Sequence, residues 1–124
     1  MENKIKVLIA DDNVPYTETI KNYLEENFNI EVVGISNTNE EEVEMIDKLK
    51  PKIVITDLKR KDKYIGEEVI KKYSNDANSP KFFIISADMR MELVREYDNV
   101  VDYIMKPIDY DRLSEKIKNI IEEI

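Results

Sequence analysis

The chain has 124 residues, enough for one domain that buries about two-thirds of its unfolded surface in a single core. It contains no cysteine and no histidine, which excludes thiolate or imidazole zinc sites, Ser-His pairs and cysteine nucleophiles. A bound metal would need oxygen ligands, which favours magnesium, calcium or manganese. The chain has 27 Asp and Glu residues but only 19 Lys and Arg residues, so its formal net charge is −8. Because this charge repels a phosphate backbone, we expect no direct binding of nucleic acid.

The N-terminal residues do not form a signal peptide, because a polar start leads into an apolar stretch of only about six residues. No apolar run approaches the roughly 20 residues of a membrane span. We therefore predict a cytoplasmic protein without membrane contact. Much of its acidity, as in residues 40–42, is expected on solvated helix faces.

The first half of the chain alternates between apolar strands and amphipathic helices. Asn13 offers an N-cap for the first helix, and Thr38 begins a capping-box pattern for the second. The predicted elements are a strand over 4–10, a helix to about 27, a strand over 30–35 and a helix to about 50. The inward positions of the second helix are predicted to be Val43, Ile46 and Leu49.

The second half opens with a continuously apolar strand, residues 52–56, that ends in Asp57. Such a run is typical of a strand buried on both faces of a parallel sheet. The predicted elements that follow are a polar loop over 58–65, a helix over 66–73, a strand over 82–85, a short helix over 90–97, a strand over 101–104 and a last helix capped by Asp109. The last helix has helically spaced apolar residues at Leu113, Ile117, Ile120, Ile121 and Ile124.

Five strands that alternate with five helices predict one α/β domain over residues 1–124, with a parallel sheet and helices on both of its faces. Parallel strands end at one edge, where open α/β folds bind their ligands. Polar residues follow four of these strands, namely Asp11-Asp12, Asp57, Ser86 and Lys106.

Three carboxylates held close together repel one another, and a divalent cation among them relieves the repulsion. Magnesium suits such oxygen ligands and leaves room for a phosphate oxygen. A carboxylate can also be the nucleophile that accepts a phosphoryl group. The metal and Lys106 would then neutralise charge on the transferring oxygens, while Ser86 donates a hydrogen bond.

These motifs resemble the receiver domain of two-component response regulators, and the resemblance covers the whole chain. It rests on Asp11-Asp12 after the first strand, Asp57 after the third, Ser86-Ala87 after the fourth, and Asp102-Tyr103-Ile104-Met105-Lys106-Pro107 around the fifth. The resemblance implies a sheet of order 2-1-3-4-5. It also implies a phosphorylation-controlled switch, served by a sensor histidine kinase or phosphotransfer protein, and not a turnover enzyme.

The resemblance further implies a role for each motif residue. Asp57 is the expected phosphoacceptor, Lys106 pairs with the phosphoryl group through a cis bond to the following proline, and Ser86 and Tyr103 form the switch pair. The expected Mg²⁺ ligands are Asp11 through a water, Asp12, Asp57 and the backbone carbonyl of Lys59. A homodimer would use the face formed by the fourth helix, the fifth strand and the last helix.

The chain departs from the family pattern after the phosphoacceptor. The segment there is one residue longer than usual and basic, with Lys61 at the usual proline position. Its cations would attract an anionic phosphodonor, or Lys59 and Asp88 would control the access of water to the phosphoryl group. The short segment between Ser86 and Lys106 predicts a shortened or irregular fourth helix, and hence a non-standard output surface.

Two other functions stay open at this point. The altered loop is compatible with a receiver-like scaffold that binds partners without phosphorylation. The other alternative is a phosphohydrolase with an aspartyl nucleophile, as in phosphatases of the haloacid dehalogenase type. Those enzymes carry Asp-x-Asp after the first strand, whereas Asp11 and Asp12 are adjacent, and 124 residues leave no room for a cap domain.

Overall fold

A computed structural model of the chain describes residues 3–60, 63–64, 66–87 and 96–124. These ranges contain seven strands and four helices. The strands are β1 (Ile5–Ala10), β2 (Ile30–Ser36), β3 (Ile53–Thr56), β4 (Lys59–Arg60), β5 (Lys63–Tyr64), β6 (Lys81–Ser86) and β7 (Val100–Met105). The helices are α1 (Val14–Asn27), α2 (Asn39–Leu49), α3 (Gly66–Tyr73) and α4 (Tyr110–Glu122).

Five of the strands form one sheet in the order β2-β1-β3-β6-β7. All neighbours in it are parallel. Counted in chain order within this sheet, the strands follow the order 2-1-3-4-5, which confirms the predicted fold. The middle strand, β3, therefore has two strands on each side, and the ends of β1, β3, β6 and β7 share one edge.

Apolar side chains fill both faces of the sheet because successive residues of a strand point to opposite sides. One core cluster joins α1 and α4 to the sheet through residues such as Leu24, Ile55 and Ile117. The other joins α2 and α3 to the opposite face and includes Val54 and Ile70. Each fully buried aliphatic side chain contributes about 1.5–3 kcal/mol, so these clusters hold β3 rigidly in place.

Side-chain caps begin three of the helices where the sequence predicted them. The Asn13 side chain accepts a hydrogen bond from the backbone N–H of Tyr16 at the start of α1. At α2, Thr38 Oγ1 accepts from the N–H of Glu41 at 3.1 Å. Asp109 caps α4 in the same way. Each cap satisfies an amide that the helix itself leaves unpaired, so these residues set the helix starts.

The structure differs from the sequence prediction after Asp57. Residues 58–65 were predicted as a loop, but β4 and β5 pair there as antiparallel strands, with Lys59 opposite Tyr64. Two residue pairs are too short to produce a periodic pattern in the sequence. Within the predicted loop, Leu58 is also buried, under α3.

Two side-chain predictions in the helices were wrong. Ile124 is 47% exposed, because α4 ends at Glu122 before the helical period reaches it. Val43 and Leu49 are partly buried, and Val43 packs against the core cluster under α2 and α3, as its inward position predicted. Glu42, expected in solvent, is buried, because it lies one turn before Ile46 on the face that meets the sheet.

Residues 88–95, which include Asp88 and most of the predicted fourth helix, lie outside the described residues. Lys61 lies outside them as well. None of the helices in the described ranges combines the length and the apolar composition needed to cross a bilayer.

Candidate functional site

The carboxyl edge of the sheet brings two carboxylates and an ammonium group into contact. Lys106 Nζ donates to Asp57 Oδ2 at 2.9 Å and to Asp11 Oδ2 at 3.0 Å. Asp11 is 4% exposed and Asp57 is 8% exposed. The three residues follow β1, β3 and β7, so three members of the group predicted from the strand ends are in contact. The Lys106-Pro107 peptide bond is cis, as predicted.

Backbone amides hold the other oxygen of each carboxylate. The N–H of Lys59 donates to Asp57 Oδ1, and the N–H of Asn13 donates to Asp11 Oδ1, both at 3.0 Å. Hydrogen bonds of this kind fix the orientation of each carboxylate. Two carboxylates with one ammonium between them have a formal charge of about −1 in a largely buried site.

The environment of Lys106 acts on its charge in two opposing ways. Burial lowers the pKa of Lys106, whereas the hydrogen bonds to Asp57 and Asp11 and the charges of both carboxylates raise it. The net result is a pKa above the ordinary value for lysine. Lys106 is therefore a cation at neutral pH.

A glycine lets α3 begin directly against the backbone of Asp57. The N–H of Gly66 donates to the carbonyl of Leu58 at 2.8 Å. A Cβ atom on Gly66 would lie 2.7 Å from the Asp57 carbonyl oxygen and 2.8 Å from Leu58 Cα. Because both contacts are with backbone, a larger residue would push α3 away from the site.

Three other predicted site residues lie at or near the ends of the same sheet's strands. Asp12 is partly exposed next to Asp11, and Ser86 is 1% exposed at the end of β6. Tyr103 is partly buried in β7 opposite Ile84, and alternate residues of a strand share a face, so Ser86 and Tyr103 lie on the same face of the sheet.

One residue near the site was not predicted from the sequence. The Lys106 ammonium lies over the ring of Tyr16, with Nζ 4.4 Å from the ring centroid. Burial raises the pKa of Tyr16, and the positive charge of Lys106 partly opposes the increase. The available signal was its position in the first turn of α1, four residues after Asp12, which is too general to indicate a site.

Comparison with known protein families identifies the architecture. The sequence model of the response regulator receiver domain family matches residues 7–118. This chain belongs to the response regulator receiver domain family. It is therefore a signalling domain of two-component systems, as its motifs predicted.

Curated relatives and solved structures agree with this family. An "uncharacterized response regulatory protein" of Shewanella oneidensis is 31% identical over 121 residues, which cover 97% of this chain and 50% of that protein. Sensory transduction protein LytT of Bacillus anthracis is 29% identical over 114 residues, covering 92% and 46%. The receiver domain thus spans about half the length of these relatives. The response regulatory domain of protein MrkE from Klebsiella pneumoniae has the same fold, with a TM-score of 0.86, 18% identity and coverage of 96% and 97%.

Receiver domains generally bind Mg²⁺ at an acidic phosphorylation site. In the part of this receiver domain that the structure describes, no three acidic residues are arranged as a ready-made metal cluster, and Lys106 lies between Asp11 and Asp57 instead. The donor chemistry nevertheless fits the ion. The candidate ligands are all oxygens, and their charge exceeds that of the single lysine, as a hard dication requires.

Proposed function

We propose that Asp57 is the phosphoacceptor of this receiver domain, with a sensor histidine kinase or phosphotransfer protein as the donor. The observation that carries the proposal is the contact between Asp57 Oδ2 and Lys106 Nζ at 2.9 Å. Asp57 also follows the middle strand of the sheet, where the residues that end β1 and β7 can reach it from either side. Rigid support and a fixed counter-charge are what a carboxylate nucleophile needs.

In the proposed reaction, a carboxylate oxygen of Asp57 attacks the phosphorus of a phosphohistidine. A P–O bond forms while the P–N bond breaks, and the electrons of that bond leave with the imidazole, which takes a proton from solvent. The Lys106 ammonium neutralises charge on the transferring oxygens, and the Ser86 hydroxyl donates to one of them. Water later attacks the phosphorus, releases phosphate and restores the carboxylate. The domain thus acts only on its own acyl phosphate.

Asp12, Asp57 and the carbonyl of Lys59 would hold Mg²⁺ directly, and Asp11 would hold it through a water molecule. When bound, the ion supplies positive charge next to the phosphoryl oxygens. The excess of carboxylate charge over the one ammonium at this edge supports the assignment.

The proposal includes a conformational switch made of Ser86 and Tyr103. The Ser86 hydroxyl moves toward the phosphoryl group, and the Tyr103 ring turns inward to the space it leaves. Their common face of the sheet supports this pairing. The centroid of the Tyr103 ring also lies 5.1 Å from Lys116 Nζ of α4. A movement of the ring would therefore change the surface formed by β7 and α4. A shift of a pre-existing equilibrium would then reach the output, through this surface or a homodimer on it.

We also propose the extent of the domain, its compartment and the class of its partners. Residues 1–124 form one receiver domain that works in the cytoplasm. The formal net charge of −8 supports partners other than nucleic acid for this domain.

Phosphorylation by a small donor tests the proposal. The chain is incubated with Mg²⁺ and acetyl phosphate, and its intact mass is measured. We expect one added phosphoryl group on the parent and on Asp98→Asn, which changes an exposed carboxylate near the start of β7. We expect none on Asp57→Asn. A parent that gains no phosphoryl group would favour the scaffold alternative. Mg²⁺-dependent turnover of a phosphate ester by Asp57→Asn would favour the phosphohydrolase.

A further inference from the structure

The Lys106 ammonium is enclosed by an aromatic ring as well as by carboxylates. Its Nζ lies 4.4 Å from the centroid of the Tyr16 ring while it donates to Asp57 and Asp11. Cation–π attraction acts within about 6 Å and is strongest where the cation is shielded from water. The Lys106 side chain is 17% exposed, so the site meets both conditions.

The packing of α1 holds the Tyr16 ring in place. Tyr16 packs against the core cluster that also contacts Ile108 and Tyr110, in the segment that follows Lys106. Two turns further along α1, the ring of Tyr23 lies 4.7 Å from that of Tyr110, and its hydroxyl donates to the Tyr110 carbonyl at 3.2 Å. Tyr16 and Tyr23, on one face of α1, therefore both contact the segment that carries Lys106.

A lysine side chain needs such support because its four-carbon stem is flexible and its ammonium has no preferred direction of hydrogen bonding. The two carboxylates attract the ammonium, but they also change their interactions when one of them is phosphorylated. The Tyr16 ring carries no charge that the reaction alters, so it can hold the ammonium throughout.

We propose that Tyr16 is a positioning residue for phosphoryl transfer, whose ring keeps the Lys106 ammonium beside Asp57. This inference rests on the proposed role of Asp57. The ring does not touch the reacting atoms and acts through Lys106 alone.

The test measures the rate of phosphorylation by acetyl phosphate with Mg²⁺ for the parent, Tyr16→Phe and Tyr16→Leu. Phenylalanine keeps the aromatic face, so we expect its rate to stay within about twofold of the parent. Leucine keeps apolar volume without the π-system, and we expect a rate about fivefold lower. Thermal unfolding of each variant shows that the fold is retained.

The effect of Tyr16→Leu on the phosphorylation rate is then measured again in a Lys106→Met background. If Tyr16 acts through Lys106, Tyr16→Leu changes the rate there by less than about twofold. A slowing of equal size in both backgrounds would mean a merely structural role and would overturn the inference. A parent-like rate for Tyr16→Leu would overturn it as well, without affecting the role of Asp57.

Proton NMR provides a measurement that does not depend on phosphorylation. A ring under the ammonium shifts the Cε protons of Lys106 upfield. We expect this shift in the parent and in Tyr16→Phe, and its loss in Tyr16→Leu. If the parent takes up no phosphoryl group, the proposed function fails, whereas the NMR shift still decides whether Tyr16 holds Lys106. A parent without the shift would overturn the inference.

Discussion

The carboxyl edge of the sheet buries charged side chains, whereas the amino edge exposes them. Asp11 and Asp57 are almost fully buried after β1 and β3 and share the ammonium of Lys106. At the opposite edge, Lys52 before β3 and Lys81 at the start of β6 are exposed to solvent. Burying charges costs stability unless they are paired and hydrogen-bonded. The edge where the fold accepts this cost is the one where we place the chemistry.

The amino edge combines a cavity with exposed lysines. A cavity of about 680 Å³ lies there, lined by Lys50, Pro51 and Tyr73 among others. It is remote from Asp57, and its lysines face water. Buried charge and cavity volume therefore point to different edges, and we place the site where charge is buried.

Replacing Gly66 by alanine is expected to have the largest effect on stability. The added Cβ would lie 2.7 Å from the Asp57 carbonyl oxygen, which is backbone and cannot move aside. We expect Gly66→Ala to lower the free energy of unfolding by about 3 kcal/mol, measured by urea denaturation. Gly34→Ala is the control, because its Cβ would meet the flexible side chain of Met45 at 3.1 Å. We expect the control to cost less than about 1 kcal/mol, and equal losses would contradict the special packing at the site.

Replacing Lys106 by methionine compares the two edges directly. The change leaves Asp57 and Asp11 next to each other without their shared cation. We therefore expect the free energy of unfolding to fall by about 2 kcal/mol at neutral pH. Lys52→Met makes the same change at the exposed edge and is expected to alter stability by less than about 0.5 kcal/mol. If chemical denaturation gave the two variants the same stability, the contrast between the edges would be wrong.

Replacing Tyr73, near the amino edge, is expected to have the smallest effect on the free energy of unfolding, and this effect should depend on pH. The Tyr73 hydroxyl donates to Asp47 Oδ1 at 2.7 Å. Burial raises the pKa of Tyr73, and the hydrogen bond to Asp47 and its charge raise it further. We expect Tyr73→Phe to cost about 1 kcal/mol at pH 7.

The direction of the pH effect follows from this raised pKa. The hydroxyl of Tyr73 binds its proton more tightly in the folded state, so its contribution to stability is complete below the unfolded pKa of about 10 and declines as the pH rises above it. The difference in unfolding free energy between the parent and Tyr73→Phe should therefore shrink above about pH 10. A difference that stays constant up to about pH 11 would contradict the prediction.

The strand order and much of the site could be predicted from the sequence. Parallel strands end at one edge, so Asp11, Asp57 and Lys106 could be placed together from the order of strands alone. Helix starts could be predicted as well, because Asn13 and Thr38 cap locally and need no information from distant residues.

Contacts that depend on how helices pack could not be predicted in this way. Tyr16 meets Lys106 only because α1 packs beside the segment after β7, far along the chain. Glu42 belongs to an acidic run typical of a solvated face, yet the orientation of α2 turns it inward. Ile124 continues a helical pattern beyond the point where the helix itself ends.

The central claim is that Asp57 carries the phosphoryl group, and chemical trapping tests it most directly. The chain is phosphorylated with acetyl phosphate and Mg²⁺ and reduced with borohydride, which converts the aspartyl phosphate to homoserine. Peptide mass mapping then locates the modified residue. We predict homoserine at position 57 and unchanged residues at Asp11 and Asp12. Homoserine at either of those positions, or a phosphorylated chain without any homoserine, would contradict the claim.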